Sequence, residues 1–156
     1  MLARGPQIFQ GYFNNEKATE ESFHNGWFRT GDMATMDEDG WVKLVSRIKE
    51  IIITGGFNVY PAEVEEVVRK HPDVKEVAVV GRPRKDGSED VVACLILRDG
   101  AVLDPEGLKS FCRERLTRYK VPRTFYHFEE LASDQLGKVR RRMVQQDLLD
   151  LLKQKA

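Results

Sequence analysis

The sequence predicts an α+β fold, in which helices pack on a small mixed or antiparallel sheet and a β-hairpin precedes them. Two observations carry this prediction. From about residue 48 onwards, β-branched runs alternate with segments whose apolar residues recur every three or four positions, as expected for strands between amphipathic helices. Before that point, two β-prone runs flank the turn residues Asp37-Glu38-Asp39-Gly40, which is the pattern of a hairpin.

The segment before residue 48 is predicted to be mainly extended. It has too few apolar residues to enclose a core of its own, which indicates the edge of a larger body. Its predicted elements are strands at 8–13 and 27–30, a short helix at 16–23, and hairpin strands at 33–36 and 41–45.

The rest of the chain is predicted to run helix, strand, strand, helix, strand, helix. Pro61 and Pro105 suit the first position of a helix, where the N–H that proline lacks would have no intrahelical partner. The strand at 91–97 has few polar residues, so we expect it to be buried on both faces. The predicted strands are 74–80, 91–97 and 124–128, and the predicted helices begin at Pro61, Pro105 and Arg140, the last of them reaching Lys155.

Composition restricts the function classes. The 25 basic and 25 acidic residues of this 156-residue chain cancel, so no overall charge favours nucleic acid or an anionic membrane. No apolar run approaches the roughly 20 residues of a membrane span. Cys94 and Cys112 each lie in an apolar pattern, which favours buried free thiols and a reducing cytoplasm, and the three histidines lack ligand spacing. We expect no metal site made by this chain alone.

Three motifs follow one another along the chain: WFRTGD at 27–32, SRIKEIIITGGFNVYPAEVEE at 46–66 and LGKVRR at 136–141. Together they resemble the adenylate-forming superfamily, which includes acyl-CoA synthetases, luciferases and peptide-synthetase adenylation domains. The phrase IITGGFNVYPAEVE is most similar to bacterial fatty acyl-CoA synthetases. The resemblance implies that residues 1–47 are the C-terminal edge of a large N-terminal AMP-binding domain and that residues 48–156 form the mobile C-terminal domain.

The resemblance also implies a reaction in two steps. A fatty acid is adenylated by ATP, and the acyl group then passes to the thiol of CoA. In the family, a phosphate loop and the acyl pocket belong to the N-terminal domain, where we also expect the ligands of Mg²⁺. The chain is therefore expected to be a cytoplasmic fragment that is inactive by itself and has that domain as its partner, with no role for nucleic acid or a transmembrane segment.

Two residues are implied as nucleotide ligands. The aspartate of the family's TGD motif corresponds to Asp32, whose carboxylate can accept hydrogen bonds from both ribose hydroxyls. Arg47 corresponds to an arginine that reaches the ribose or a phosphate, and its guanidinium offers several fixed donors. Without the family, the plain alternatives are a turn aspartate and a surface salt bridge. The family usually has Asp before this arginine, where this chain has Ser46.

The resemblance assigns the remaining site residues to motion, thioester formation and adenylation. Lys49 matches the hinge, and Gly55, Gly56 and Phe57 match a loop that lines the pantetheine tunnel, where glycine permits close approach. Lys138 matches the lysine that contacts the acyl carboxylate and the α-phosphate.

The loop before Lys138 lacks the family's early proline, so we expect it to be looser. A plain alternative makes Lys138 part of a solvated basic helix start. The basic residues at 138 and 140–142 could also form a patch that binds the phosphates of the CoA nucleotide.

Other functions stay open. The chain could belong to an aryl-CoA ligase or to an adenylation domain that loads a carrier protein. It could also be a standalone binding module that kept the fold without catalysis, although a module that only binds has no need of Asp32, Arg47 and Lys138 together.

Overall fold

The computed structural model describes residues 1–154 and divides into two compact units, Met1–Lys49 and Glu50–Ala156. Most predicted elements are present, and the mixed α+β fold is confirmed. The end of the last helix, predicted at Lys155, lies outside the described residues. Within residues 1–154, no helix has the length and apolar character needed to cross a membrane.

The first unit is built from short strands. A three-stranded antiparallel sheet has the order β1-β3-β2, and β4 and β5 form the predicted hairpin. The Asn15 side chain caps α1 by accepting a hydrogen bond from the Ala18 N–H. The elements are β1 (Leu2–Ala3), α1 (Glu16–Ser22), β2 (Phe23–His24), β3 (Trp27–Arg29), β4 (Asp32–Met36) and β5 (Val42–Arg47).

The strand predicted at 8–13 is wrong. Turns use the backbone at its two ends, because the Ile8 N–H donates to the Gly5 carbonyl at 3.1 Å and the Asn15 N–H donates to the Tyr12 carbonyl at 3.3 Å. Phe9 packs against other aromatic rings instead: its ring centroid lies 4.9 Å from that of Tyr12 and 5.2 Å from that of Phe28. An aromatic cluster thus replaces the ladder of a sheet.

The second unit contains the central sheet. Its strands have the order β10-β9-β8, with β8 antiparallel and β10 parallel to β9. The parallel pair needs a crossover, which α3 supplies. The elements are β6 (Ile52–Thr54), β7 (Phe57–Val59), α2 (Pro61–Val68), β8 (Val74–Pro83), β9 (Glu89–Leu97), α3 (Pro105–Arg113), β10 (Thr124–His127) and α4 (Arg141–Gln154), with 3-10 helices at Ile48–Glu50 and Arg118–Lys120.

Alternate residues of β8 belong to two different hydrophobic clusters. Val77 and Val79 pack in the cluster that includes α2 and α3, whereas Ala78 and Val80 pack in the cluster that includes α4. Side chains of a strand point alternately to its two faces, so helices cover both faces of the sheet. This explains why β9 is buried nearly throughout, as its sequence predicts. Cys94 and Cys112 are buried and unbonded, as predicted, and burial raises their thiol pKa values to about 12 and about 11.

One buried carboxylate joins the three strands at one end of the sheet. Asp90, only 5% exposed, accepts a hydrogen bond from Arg82 Nη2 at 2.7 Å. Arg84 and Arg123 also pair with it, at 3.3 and 3.2 Å. Burial by itself would raise the pKa of Asp90, but the Arg82 hydrogen bond and the three positive charges lower it below its ordinary value.

Candidate functional site

Asp32 and Arg47 face each other across the β4–β5 hairpin. They are paired in the strand register, and Arg47 Nε lies 3.4 Å from Asp32 Oδ1. Gly31, with φ of +76°, turns the chain into β4, and its carbonyl accepts the Ile48 N–H at 2.9 Å. The Asp32 side chain is 22% exposed and that of Arg47 is 66% exposed, so both can meet a ligand. The hairpin therefore presents an acceptor and a set of donors side by side.

Lys49 is exposed in the 3-10 helix Ile48–Glu50. It is the last residue of the first unit, and Glu50 begins the second. A residue that joins two compact units is where a change in backbone angles would alter their relative orientation.

The double glycine forms the tip of a hairpin that the sequence prediction missed. Gly55 and Gly56 have φ values of +54° and +81°, as a two-residue type I′ turn requires, and β6 and β7 pair on either side. A double glycine between β-prone runs is a known hairpin signal, but the family resemblance predicts only a loop at these residues.

Phe57 follows the turn, and a second aromatic residue supports it. Its ring stacks on Tyr119 with 4.6 Å between centroids and 19° between planes. More than half of the Phe57 surface remains exposed. Tyr119 was not predicted as a site residue, and its position in the helix-breaking segment gave no signal for this contact. The tip thus combines an open glycine backbone with an accessible aromatic face.

Lys138 lies exposed on the loop between β10 and α4. Its backbone N–H donates to Asp134 Oδ1 at 3.0 Å, and its carbonyl accepts the Asp134 N–H at 2.9 Å. Asp134 Oδ1 also accepts the Leu136 N–H at 2.9 Å. Gly137 closes the turn with φ of +75°. The loop is therefore a tight turn that presents the lysine ammonium to solvent.

Arg141 is the first residue of α4 and makes a network of ion pairs. Its Nε and Nη2 donate to Glu65 Oε1 and Oε2 at 2.8 and 2.7 Å, and its Nη1 donates to Glu50 Oε2 at 2.6 Å. The alternative of a phosphate patch at 138 and 140–142 is less favourable for Arg141, because its guanidinium is already paired with two carboxylates. Glu65 was not predicted to be buried, yet it is only 5% exposed. Its place beside the apolar face containing Val64 and Val68 was the available signal.

The described residues divide the predicted site between the two units. Asp32, Arg47 and Lys49 belong to the first unit, and the double-glycine turn and Lys138 belong to the second. Asp32 and Arg47 are brought into contact, whereas Lys138 stands on a loop of its own. Residues 1–154 contain no group of three or more His, Cys, Asp or Glu that could hold a metal ion.

Known proteins similar to this chain are adenylate-forming enzymes. Residues 63–138 match the family described as AMP-binding enzyme C-terminal domain. The chain is 44% identical over 142 residues to the long-chain-fatty-acid–CoA ligase of Escherichia coli O157:H7. This alignment covers 91% of this chain and 25% of that ligase. It thus spans about a quarter of the length of this curated relative.

Two solved structures have the same fold and are 33% and 37% identical in sequence to this chain. ATP-bound MatB from Rhodopseudomonas palustris superposes with a TM-score of 0.89 and 33% identity, over 96% of this chain and 30% of that one. The o-succinylbenzoate–CoA synthetase of Bacillus subtilis, in complex with ATP and magnesium ion, gives a TM-score of 0.81 and 37% identity, over 92% and 29%. The chain therefore belongs to the adenylate-forming enzymes, carries their AMP-binding C-terminal domain, and resembles bacterial fatty acyl-CoA synthetases, as its three motifs predict.

Proposed function

We propose that this chain is the C-terminal part of an ATP-dependent fatty acyl-CoA synthetase. In the first step, the carboxylate of the acid attacks the α-phosphate of ATP, which yields acyl-AMP and pyrophosphate. In the second, the thiol of CoA attacks the acyl carbonyl and AMP leaves. The identity to the ligase of Escherichia coli O157:H7, a long-chain-fatty-acid–CoA ligase by name, supports the fatty acid as the substrate class.

The observation that carries the proposal is the cross-strand pair of Asp32 and Arg47. Two vicinal ribose hydroxyls can donate to one carboxylate together, and the neighbouring guanidinium can donate to the ribose or to a phosphate. The distance of 3.4 Å between the two groups lets both contact the same ligand. We infer that they hold the nucleotide in both steps.

Lys138 is proposed to act in adenylation. Two anions approach each other in this step, so a cation that contacts both stabilises the transition state more than the separated reactants. Its exposed position on a turn leaves the ammonium accessible.

The double-glycine turn is proposed to act in thioester formation. A backbone without Cβ atoms can approach a thin pantetheine arm closely, and a Cβ built on Gly55 or Gly56 meets no atom within 4 Å. Open space at the tip therefore leaves room for the ligand. Lys49 would be the pivot that lets the C-terminal domain turn between the two steps, since the boundary between the compact units follows it.

We propose that residues 1–47 belong to a larger N-terminal AMP-binding domain and residues 48–156 to the mobile domain. Met36, Val42 and Leu44 on the β4–β5 hairpin are all more than half exposed, a face that such a domain would cover. The ligands of Mg²⁺ are expected in that domain, because residues 1–154 offer no suitable cluster. ATP and CoA would be substrates, and the cytoplasm the place of action.

An aromatic acid is the alternative substrate. The similarity to the o-succinylbenzoate–CoA synthetase of Bacillus subtilis favours this second candidate. The two candidate substrates are distinguished by measuring CoA-ester formation with fatty acids and with aryl acids, using the full-length protein that contains this chain. Faster turnover of aryl acids would refute the fatty-acid assignment.

The test uses a chimera in which this chain replaces the matching last quarter of the ligase from Escherichia coli O157:H7. Lys138→Ala is expected to lower acyl-AMP formation about 100-fold or more, because a charge that stabilises the transition state is lost. Thioester formation from supplied acyl-AMP should change little. Lys75→Ala, which removes the same charge at an exposed position, is the matched control.

Equal losses in both half-reactions for Lys138→Ala would contradict the role of this lysine. The isolated chain is expected to make no acyl-AMP, and a measurable rate from it would contradict the assignment of the phosphate loop and acyl pocket to another domain.

A further inference from the structure

Arg141 is held by three hydrogen bonds from three different nitrogens. Two of them form a fork on both oxygens of Glu65, at 2.8 and 2.7 Å, and the third reaches Glu50 at 2.6 Å. A guanidinium presents its donors in a fixed plane, so this arrangement determines the orientation of the side chain as well as its position. The start of α4 is therefore fixed at a single point.

Glu65 is itself attached to the core. It is 5% exposed, and its Oε1 also accepts the Val79 N–H of β8 at 2.9 Å. Because β8 lies at the edge of its sheet, this N–H has no neighbouring strand to bond with on that side. Glu65 therefore connects α2 and β8, and Arg141 connects α4 to both.

The turn that carries Lys138 ends three residues before Arg141, which anchors the start of α4. The Arg140 N–H donates to the Ala132 carbonyl at 2.8 Å, and Ser133 bridges to Val139, so the base of the turn is closed next to Arg141. Beyond the base the turn is exposed, with Leu136 94% accessible. Its position in space then depends on how firmly its base is held.

The third partner, Glu50, connects the same anchor to the proposed hinge. Glu50 follows Lys49 directly and is the first residue of the second unit. If the backbone angles at Lys49 change, Glu50 is the first residue of the second unit to be affected, and its hydrogen bond to Arg141 links it to the base of the Lys138 turn. Rigid attachment at this point would keep the lysine in register when the domain rotates.

We propose that Arg141 is a positioning residue, which holds the base of the Lys138 turn to Glu65 and to Glu50 beside the hinge. This inference rests on the proposed role of Lys138 in adenylation. The guanidinium of Arg141 is bound by Glu65 and Glu50, so Arg141 acts by limiting where the Lys138 ammonium can lie. A displacement of about 1 Å at a reacting group can cost about 100-fold in rate.

The experiment measures both half-reactions in the chimera described above. Arg141→Lys keeps the charge but cannot bridge three carboxylate oxygens, and Glu50→Gln weakens the hinge-side contact alone. We expect Arg141→Lys to slow acyl-AMP formation about tenfold to 100-fold and Glu50→Gln to slow it by less. Thioester formation from supplied acyl-AMP should stay within about threefold, because the hydrogen bonds of the Arg141 side chain go to Glu65 and Glu50 and none reaches Gly55 or Gly56.

Arg113→Lys is the matched control, since it makes the same chemical change at an exposed position of α3. A loss that is equal in the two half-reactions would reduce Arg141 to a stabilising residue and overturn the proposal. If Lys138→Ala lowers the rate of adenylation while Arg141→Lys and Glu50→Gln leave the ratio of the two half-reaction rates unchanged, the proposed function stands and this inference fails. If Lys138→Ala also has no effect, both fail.

Discussion

Asp134 gives the Lys138 turn an order that the sequence prediction did not foresee. The absence of the family's early proline suggested a looser loop, but the Asp134 carboxylate binds the N–H groups of Lys138 and Leu136. These hydrogen bonds restrain the backbone as a proline ring would. The bond from the Lys138 N–H, followed by the other contacts, lowers the pKa of Asp134 below its ordinary value. The turn is therefore expected to keep this restraint throughout the neutral range.

Substitutions of Gly56 should affect the stability of the protein and its activity differently. Its φ of +81° is unfavourable for residues with a Cβ, so Gly56→Ala should lower the free energy of unfolding by about 1 kcal/mol. Gly56→Asn should cost less, because asparagine tolerates positive φ. Urea denaturation of this chain measures both changes. Equal losses of stability would show that the backbone angle is not what selects glycine here.

In the chimera, by contrast, both Gly56 variants should slow thioester formation and spare adenylation.

Asp90 holds three secondary-structure elements together, because its ion pairs with three arginines connect β8, β9 and the start of β10. The pKa of Asp90 is lower in the folded protein than its ordinary value of about 4. The ionised Asp90 carboxylate therefore contributes its full stabilisation above about pH 4, and this stabilisation is lost as the pH falls through the folded pKa. Asp90→Asn should therefore cost about 2 kcal/mol near pH 7. The difference from the wild type should shrink below about pH 4.

Asp99→Asn removes the same charge from an exposed position and is the control for the Asp90 measurement. Urea denaturation at a series of pH values provides the free energies of unfolding. A difference between Asp90→Asn and the wild type that stays constant with pH would show that the carboxylate charge is not responsible.

The elements that the sequence predicted are those with a local signal. The helix starts at Pro61 and Pro105 follow from proline geometry, and the buried β9 follows from its apolar run. The strand at 8–13 failed because its aromatic residues pack on one another, which depends on contacts between positions as distant as Phe9 and Phe28.

Long-range contacts also explain what the sequence could not provide at the site. Glu65 and Arg141 are 76 positions apart, and neither residue alone indicates a buried pair. The three motifs predict Asp32, Arg47 and Lys138 as individual site residues. The cross-strand contact of Asp32 with Arg47 and the anchor at the base of the Lys138 turn needed the three-dimensional fold.

At the scale of the whole molecule, the two units differ in how they are stabilised. All residues of 1–49 are described, and none of them is buried, whereas the second unit contains both hydrophobic clusters. The second unit thus has a core of its own, as the proposed rotation of this unit requires. The first unit exposes apolar side chains that a larger domain would bury.

The hinge assignment predicts that Lys49→Pro separates the two half-reactions. Proline fixes φ near −65° and disfavours helical angles at Ile48, so the backbone can no longer adopt both poses. In the chimera, we expect one half-reaction to fall about 100-fold while the other stays within about threefold. Lys49→Ala, which leaves the backbone free, should change neither by more than about threefold. Equal losses in both half-reactions of a folded Lys49→Pro protein would place the pivot elsewhere.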